Sequence, residues 1–110
     1  MLMLSRLTIT WIFAGAMSGA FEAAYHYSMK RIQFGKPIAG FQLIQERLVR
    51  MLSDIQSCLT LLMRVTLDYQ EGKATMGRIA MVKAHVSRIG RDVTRTAREI
   101  HGANGILWET

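Results

Sequence analysis

The chain has 110 residues, half of them apolar, with a single proline, which bounds it to one domain and leaves little room for sheet. Its one cysteine, Cys58, excludes an internal disulfide framework and points to a reducing compartment. A formal net charge of +6 suits anionic partners such as phosphates, nucleic acid or a membrane surface, without choosing among them.

The first segment is the most apolar. Leu7 to Phe21 is uncharged for fifteen residues, short of the roughly 20 needed to cross a bilayer, and Glu22, His26 and Lys30 follow on the same predicted helix. Arg6, the apolar run and small residues near Ala20 imitate a signal peptide, and Gly15 with Gly19 forms a GxxxG pattern, but both signals are common by chance. We read the segment as a helix buried on nearly every side, with Ala14, Gly15, Ala16, Ser18, Gly19 and Ala20 admitting close neighbours at the centre of a bundle.

A joint, RIQFGKPIAGFQ, follows at 31–42. Two readings of it stand side by side. In one, the planar donor fork of Arg31, the flat face of Phe34, the backbone freedom of Gly35 and the stiffness of Pro37 hold a dinucleotide. In the other, Arg31 is a solvated helix end, Phe34 a core plug and Gly35-Lys36-Pro37 an ordinary turn.

Phe41, Ile44, Leu48, Met51, Ile55, Leu59, Leu62 and Tyr69 then recur at helical steps, with Glu46, Arg47, Arg50 and Asp54 between them. The spacing predicts one long amphipathic helix, with Cys58 in its core rhythm, ending near Glu71-Gly72. Thr75 is the expected N-cap of a third helix whose stripe is Ile79, Val82, Val86, Ile89, Val93, Ala97 and Ile100, ending at Gly102. Short connections make this an all-α, up-down-up antiparallel bundle. A first helix apolar all round asks for a fourth from outside these residues, and GANGILWET reads as a turn followed by the start of a further element.

Arg88, Arg91, Arg95 and Arg98 share one face of the third helix. A phosphate-binding stripe for nucleic acid competes there with a solvated face compensated by Arg88–Asp92 and Arg95–Glu99 contacts; without interleaved aromatics the second is preferred. His26, His85 and His101 are scattered at no metal-ligand spacing and are expected at surfaces or helix ends; the eight methionines are gap fillers.

At RIQFGKPIAGFQLIQERLVRM and again at REIHGANGIL the chain closely resembles the C-terminal helical domain of the acyl-CoA dehydrogenases, particularly the glutaryl-CoA dehydrogenase and short-chain acyl-CoA oxidase branch. The match spans nearly the whole chain, with Arg6 near the start of the first helix, the R-x-x-F-G joint at Arg31, Phe34 and Gly35, then Gln42 and the turn Gly102-Ala103-Asn104-Gly105. The resemblance implies three long helices of a four-helix bundle in a soluble FAD flavoprotein, usually a homotetramer, in which this domain reaches the flavin of a neighbouring subunit. By position it implies that Arg31, Gln33 and Phe34 contact the FAD pyrophosphate and its surroundings, Gln42 the adenosine end, and Glu99 with Gly102 and Ala103 the ribityl and phosphate region. Arg6 is implied near the acyl-CoA, and Ala103 departs from the second glycine common in the family, adding a methyl group to the turn.

In the family a carboxylate removes the α proton while hydride leaves the β carbon for the flavin. The resemblance places that base about twenty residues past the glycine turn, beyond Thr110, or in some members beside the first-helix arginine, where this chain has Ser5; Glu109 comes too early. The expectation is therefore a truncated chain with no catalytic or metal-binding residue, inactive alone, whose parent enzyme dehydrogenates a short-chain acyl-CoA. It is expected to self-associate and to have neither a nucleic-acid nor a membrane partner. The alternative is a stand-alone helical association module without catalysis. The family's setting implies the bacterial cytoplasm, or the mitochondrial matrix or peroxisome of a eukaryote.

Overall fold

Two of the three helices follow from seams of apolar residues, and the first from a run that is apolar on nearly every side. The structure, a computed structural model, describes residues 2–33, 35–37 and 40–102. Its elements are α1 (Leu2–Lys30), β1 (Ile32–Gln33), β2 (Lys36–Pro37), α2 (Gln42–Gln70) and α3 (Met76–His101). Buried positions on α1 are Leu7, Thr10, Ala14, Met17, Ala24 and Ser28, and those on α2 include Met51, Ile55, Cys58, Leu62 and Val65. Both sets advance by alternating steps of three and four, with half-buried Phe21 filling the gap in α1. A repeat of about 3.5 residues keeps each seam turned toward its neighbours along the bundle. The expected stripe on α3 is buried at Ile79, Val82, Val86, Val93, Ala97 and Ile100.

Specific contacts fix the directions. Near the start of α1 the Trp11 indole N–H donates to Thr66 Oγ1 late in α2 at 3.0 Å, and at the other end of α1 Tyr27 packs on His101 of α3 with ring centroids 4.6 Å apart. Thus α1 and α3 run parallel and α2 antiparallel to both, the expected up-down-up order in a body 55 Å long. α1 lies most extensively against α3, which its small seam residues Ala14, Ala24 and Ser28 permit. The buried hydroxyls on that seam are satisfied locally: Thr10 donates to the Arg6 carbonyl at 2.7 Å and Ser28 to the Tyr25 carbonyl at 2.8 Å.

The α2–α3 turn follows the expected chemistry. Gly72 adopts φ 74°, and the N–H groups of Glu71, Gly72 and Lys73 return to the carbonyls of Leu67, Tyr69 and Asp68. Thr75 caps α3 by accepting from the Arg78 N–H at 3.2 Å.

Four expectations need correction. First, α1 is not buried on every side: Ile9, Ile12, Phe13 and Tyr25 are exposed, Ile12 at 63%. With two helical neighbours among the described residues, α1 buries one seam there, whatever its composition. Second, α1 runs to Lys30 as expected, but as a whole its 29 residues are long and apolar enough by length and composition to cross a membrane, which the uncharged run alone is not, while its seam lies in the bundle core. Third, the Arg-rich face pairs differently. Arg95 bonds Asp92 at 2.9 Å and Glu99 turns to Arg47 of α2 at 3.6 Å. An acid N-terminal to its base is the favourable order on a helix, and Arg88–Asp92 and Arg95–Glu99 have the reverse order.

Fourth, His85 is a half-buried mid-helix residue rather than a surface or helix-end one. Arg88 Nη2 lies 3.3 Å from its Nδ1. Guanidinium only donates, so Nδ1 accepts and the proton sits on Nε2, which is buried without a partner among the described residues.

Cys58 is fully buried, and burial, aided by the negative charge of Asp54, pushes its thiol pKa up, which makes it an inert core residue.

Candidate functional site

The joint is a short hairpin. β1 and β2 pair antiparallel, Ile32 opposite Pro37 and Gln33 opposite Lys36, and Gly35 between them has φ 81°. That angle costs glycine little and other residues more. Pro37 offers no N–H, which helps to stop the ladder there. The hairpin replaces the simple turn expected for this stretch and carries the chain from the end of α1 to the start of α2.

Residues from all three helices meet at this end of the bundle. Arg31 closes α1, its N–H donating to the Tyr27 carbonyl at 2.9 Å while its side chain is exposed. Gln42 is the first residue of α2 and is also exposed. Phe41, the N-cap, makes no side-chain capping bond, and the first turn of α2 holds no acid. Among the described residues, therefore, no side-chain cap and no first-turn acid faces the leading N–H groups of α2 and the positive end of its dipole. On α3, Gly102 forms the C-cap at φ 57°, its N–H donating to the Glu99 carbonyl at 2.9 Å.

Of the residues expected at the site, the structure brings Arg31, Gln42, Glu99 and Gly102 to this end, together with the backbone of Gln33 in β1. Phe34 and Ala103 lie outside the described residues. Arg6 is half-buried near the opposite end of α1, about 38 Å from Arg31 along the helix axis at 1.5 Å per residue. One small ligand group cannot touch both.

Two partners were not visible in the sequence. Arg47 reaches Glu99 across the α2–α3 boundary, so the carboxylate at this edge is partly compensated. His101 donates from Nδ1 to the Ala97 carbonyl at 2.9 Å and packs on Tyr27, tying the end of α3 to the end of α1. Neither pairing has a local motif, since each joins residues more than fifty positions apart; only the packing of the helices sets them opposite each other.

The donor chemistry suits a phosphate-bearing ligand: an exposed guanidinium, uncapped helix N–H groups, a turn glycine, and an acid already paired. A built Cβ on Gly102 meets nothing nearer than the Glu99 carbonyl oxygen at 3.8 Å, so its backbone angle, rather than crowding, is what favours glycine there. No group of three or more His, Cys, Asp or Glu able to hold a metal occurs among the described residues.

The opposite end carries a structural cluster that the sequence reading missed. Asp68 is buried and bonded to Arg64 at 2.5 Å and Arg78 at 2.6 Å, joining α2 to α3. The bond from Arg64 holds its carboxyl below the usual value of 3.8; burial opposes that, and Arg78 reinforces it.

The family model for the acyl-CoA dehydrogenase C-terminal domain matches residues 1–110. Among solved structures, glutaryl-CoA dehydrogenase from Mycobacterium smegmatis is 30% identical with a TM-score of 0.92, over 98% of this chain and 28% of that one. Butyryl-CoA dehydrogenase from Megasphaera elsdenii is 31% identical with a TM-score of 0.89, over 96% and 27%. An acyl-CoA dehydrogenase from Geobacillus kaustophilus is 28% identical with a TM-score of 0.92, over 99% and 29%. The chain thus spans little more than a quarter of the length of each.

Proposed function

The chain belongs to the acyl-CoA dehydrogenase C-terminal domain family, and from that premise we propose that it supplies the FAD-binding edge and an association surface of an FAD-dependent enzyme that dehydrogenates a short-chain acyl-CoA. The observation that carries this reading is the exposed Arg31 at the same end of the bundle as the start of α2, whose first turn holds no acid, with Glu99 at that end paired to Arg47.

FAD supplies the hydride-accepting chemistry when bound. The residues of this chain bind and orient. Arg31 gives a charged donor fork to the pyrophosphate, and Gln42 at the head of α2 reaches the adenosine end. Gln33 and Phe34 extend the contact along the joint, and Glu99 with Gly102 and Ala103 lines the ribityl and phosphate region. Arg47 keeps the Glu99 carboxylate from opposing the phosphates. Arg6, at the far end of α1, serves the acyl-CoA rather than this edge.

No catalytic base is assigned to these residues: the position beside Arg6 is Ser5, which has no carboxylate, and the chain alone is inactive in this reading. Self-association is assigned to the outer face of α2, where Val49, Leu52, Met63 and Leu67 are exposed.

The test is a titration of FAD into the purified chain, following the quenching of flavin fluorescence. Saturable binding weakened by Arg31→Ala is expected; binding unchanged by that substitution overturns the assignment. Absence of binding combined with self-association favours the second reading, a helical association module without catalysis, which the exposed apolar residues of α1 and α2 support.

A further inference from the structure

The FAD edge draws on two helices that end side by side: Arg31 closes α1, while Glu99 and Gly102 belong to the last turn and the cap of α3. Helix ends open readily unless something holds them. At this junction Tyr27 of α1 meets His101 of α3, with ring centroids 4.6 Å apart and planes inclined by 33°. The ring contacts Phe21–Tyr25 and Tyr25–His26 stay within α1, whereas this one joins two helices.

Each ring is coupled to a residue of the edge. On α1 the Tyr27 carbonyl accepts the Arg31 N–H at 2.9 Å, which sets Tyr27 about one turn, or 6 Å, before Arg31. On α3 His101 directly precedes Gly102, whose N–H closes back on the Glu99 carbonyl at 2.9 Å. The His101 ring is itself oriented: a carbonyl only accepts, so the 2.9 Å contact with the Ala97 oxygen puts a proton on Nδ1 and fixes the side chain against its own helix. Tyr27 and His101 are both half-buried. The ion pair at this end, Glu99 with Arg47 at 3.6 Å, runs to α2 rather than α1, and its side chains are partly in solvent, where such pairs hold position weakly.

We propose that His101 is a positioning residue of the FAD edge: packed on Tyr27 and bonded to Ala97, it holds the last turn of α3, with Glu99 and Gly102, in register with Arg31 at the end of α1. The inference rests on the FAD-edge reading, and His101 acts in it through these neighbours rather than by touching the cofactor. Ends held in place beforehand need no ordering when FAD binds, so releasing them weakens binding although every contacting residue remains.

The test titrates FAD into the whole 110-residue chain and its variants by flavin fluorescence, below the Tm of each. His101→Ala should weaken binding about tenfold and Tyr27→Ala by a similar factor. The double variant should lose no more than the larger single loss, because both substitutions remove one contact. His101→Phe keeps a ring against Tyr27 and should retain most of the affinity; His101→Asn can keep the bond to Ala97 but not the ring, and should not. Ile55→Val, in the core halfway along α2, should lower Tm without changing FAD affinity, which separates positioning from general stability. In the absence of FAD, exchange of the Gly102 amide followed by NMR should quicken in His101→Ala. Unchanged affinity in His101→Ala while the unaltered chain binds FAD overturns the positioning role and leaves the edge standing. Losses that multiply in the double variant, an equal loss in Ile55→Val, or unchanged Gly102 exchange overturn it likewise. Failure of the unaltered chain to bind FAD overturns the edge and this role with it.

Discussion

Leu61, Leu62 and Met63 stand together in α2 and look equally apolar in sequence, yet the bundle treats them differently. Leu62 is fully buried, Leu61 is 39% exposed and Met63 is 51% exposed. Truncating Leu62 to Ala removes buried methyl groups and leaves a cavity, at a cost of about 2–5 kcal/mol. For a domain of this size the unfolding entropy is about 0.23 kcal/mol/K, so a loss of about 3 kcal/mol lowers Tm by roughly 13 °C. Met63→Ala, on the outer face of α2, should change stability by no more than about 0.5 kcal/mol, or roughly 2 °C. Thermal unfolding followed by circular dichroism at 222 nm, on dilute samples so that association does not contribute, makes the comparison. A Leu62→Ala shift no larger than that of Met63→Ala would refute the seam register and the well-packed core inferred from it.

Two further outcomes follow from the charged pairs. Because Arg64 and Arg78 depress the Asp68 pKa below 3.8, the folded state releases that proton more readily than the unfolded chain. The stabilisation is therefore complete above the ordinary carboxylate range and is lost as pH falls through the folded value. Denaturant unfolding from about pH 5 downward should show stability falling more steeply in the unaltered protein than in Asp68→Asn; parallel pH profiles would refute the assignment. Arg47→Gln should lower Tm only slightly, because the pair with Glu99 is largely solvated, yet weaken FAD binding by leaving a carboxylate uncompensated at the edge. Unchanged FAD affinity in that variant would remove Arg47 from the site.

The site was legible in the sequence where its chemistry is local. Arg31, Gly35 and Gln42 fall within one short stretch, and the turn glycine and helix boundaries there follow from residue type. Glu99 was visible as a position, but its partner was not. Adjacent residues suggested a helical pairing with Arg95, whereas the packing of α2 on α3 set it against Arg47. Asp68 was hidden because a carboxylate beside the core positions Val65 and Tyr69 announces no partner until Arg78 is brought to it by the α2–α3 turn.

By itself the sequence determined the three helices, the seams of α2 and α3 and the stops of those two, because apolar periodicity, Thr75 as a cap and glycines at positive φ act over a few residues. It also determined that α1 carries more apolar surface than two neighbours can cover. Only the tertiary structure decided which side of α1 is buried, since a helix apolar around most of its circumference has no preferred face until α2 and α3 pack against it. The same packing drew Arg31, Gln42, Glu99 and Gly102 to one end of the bundle.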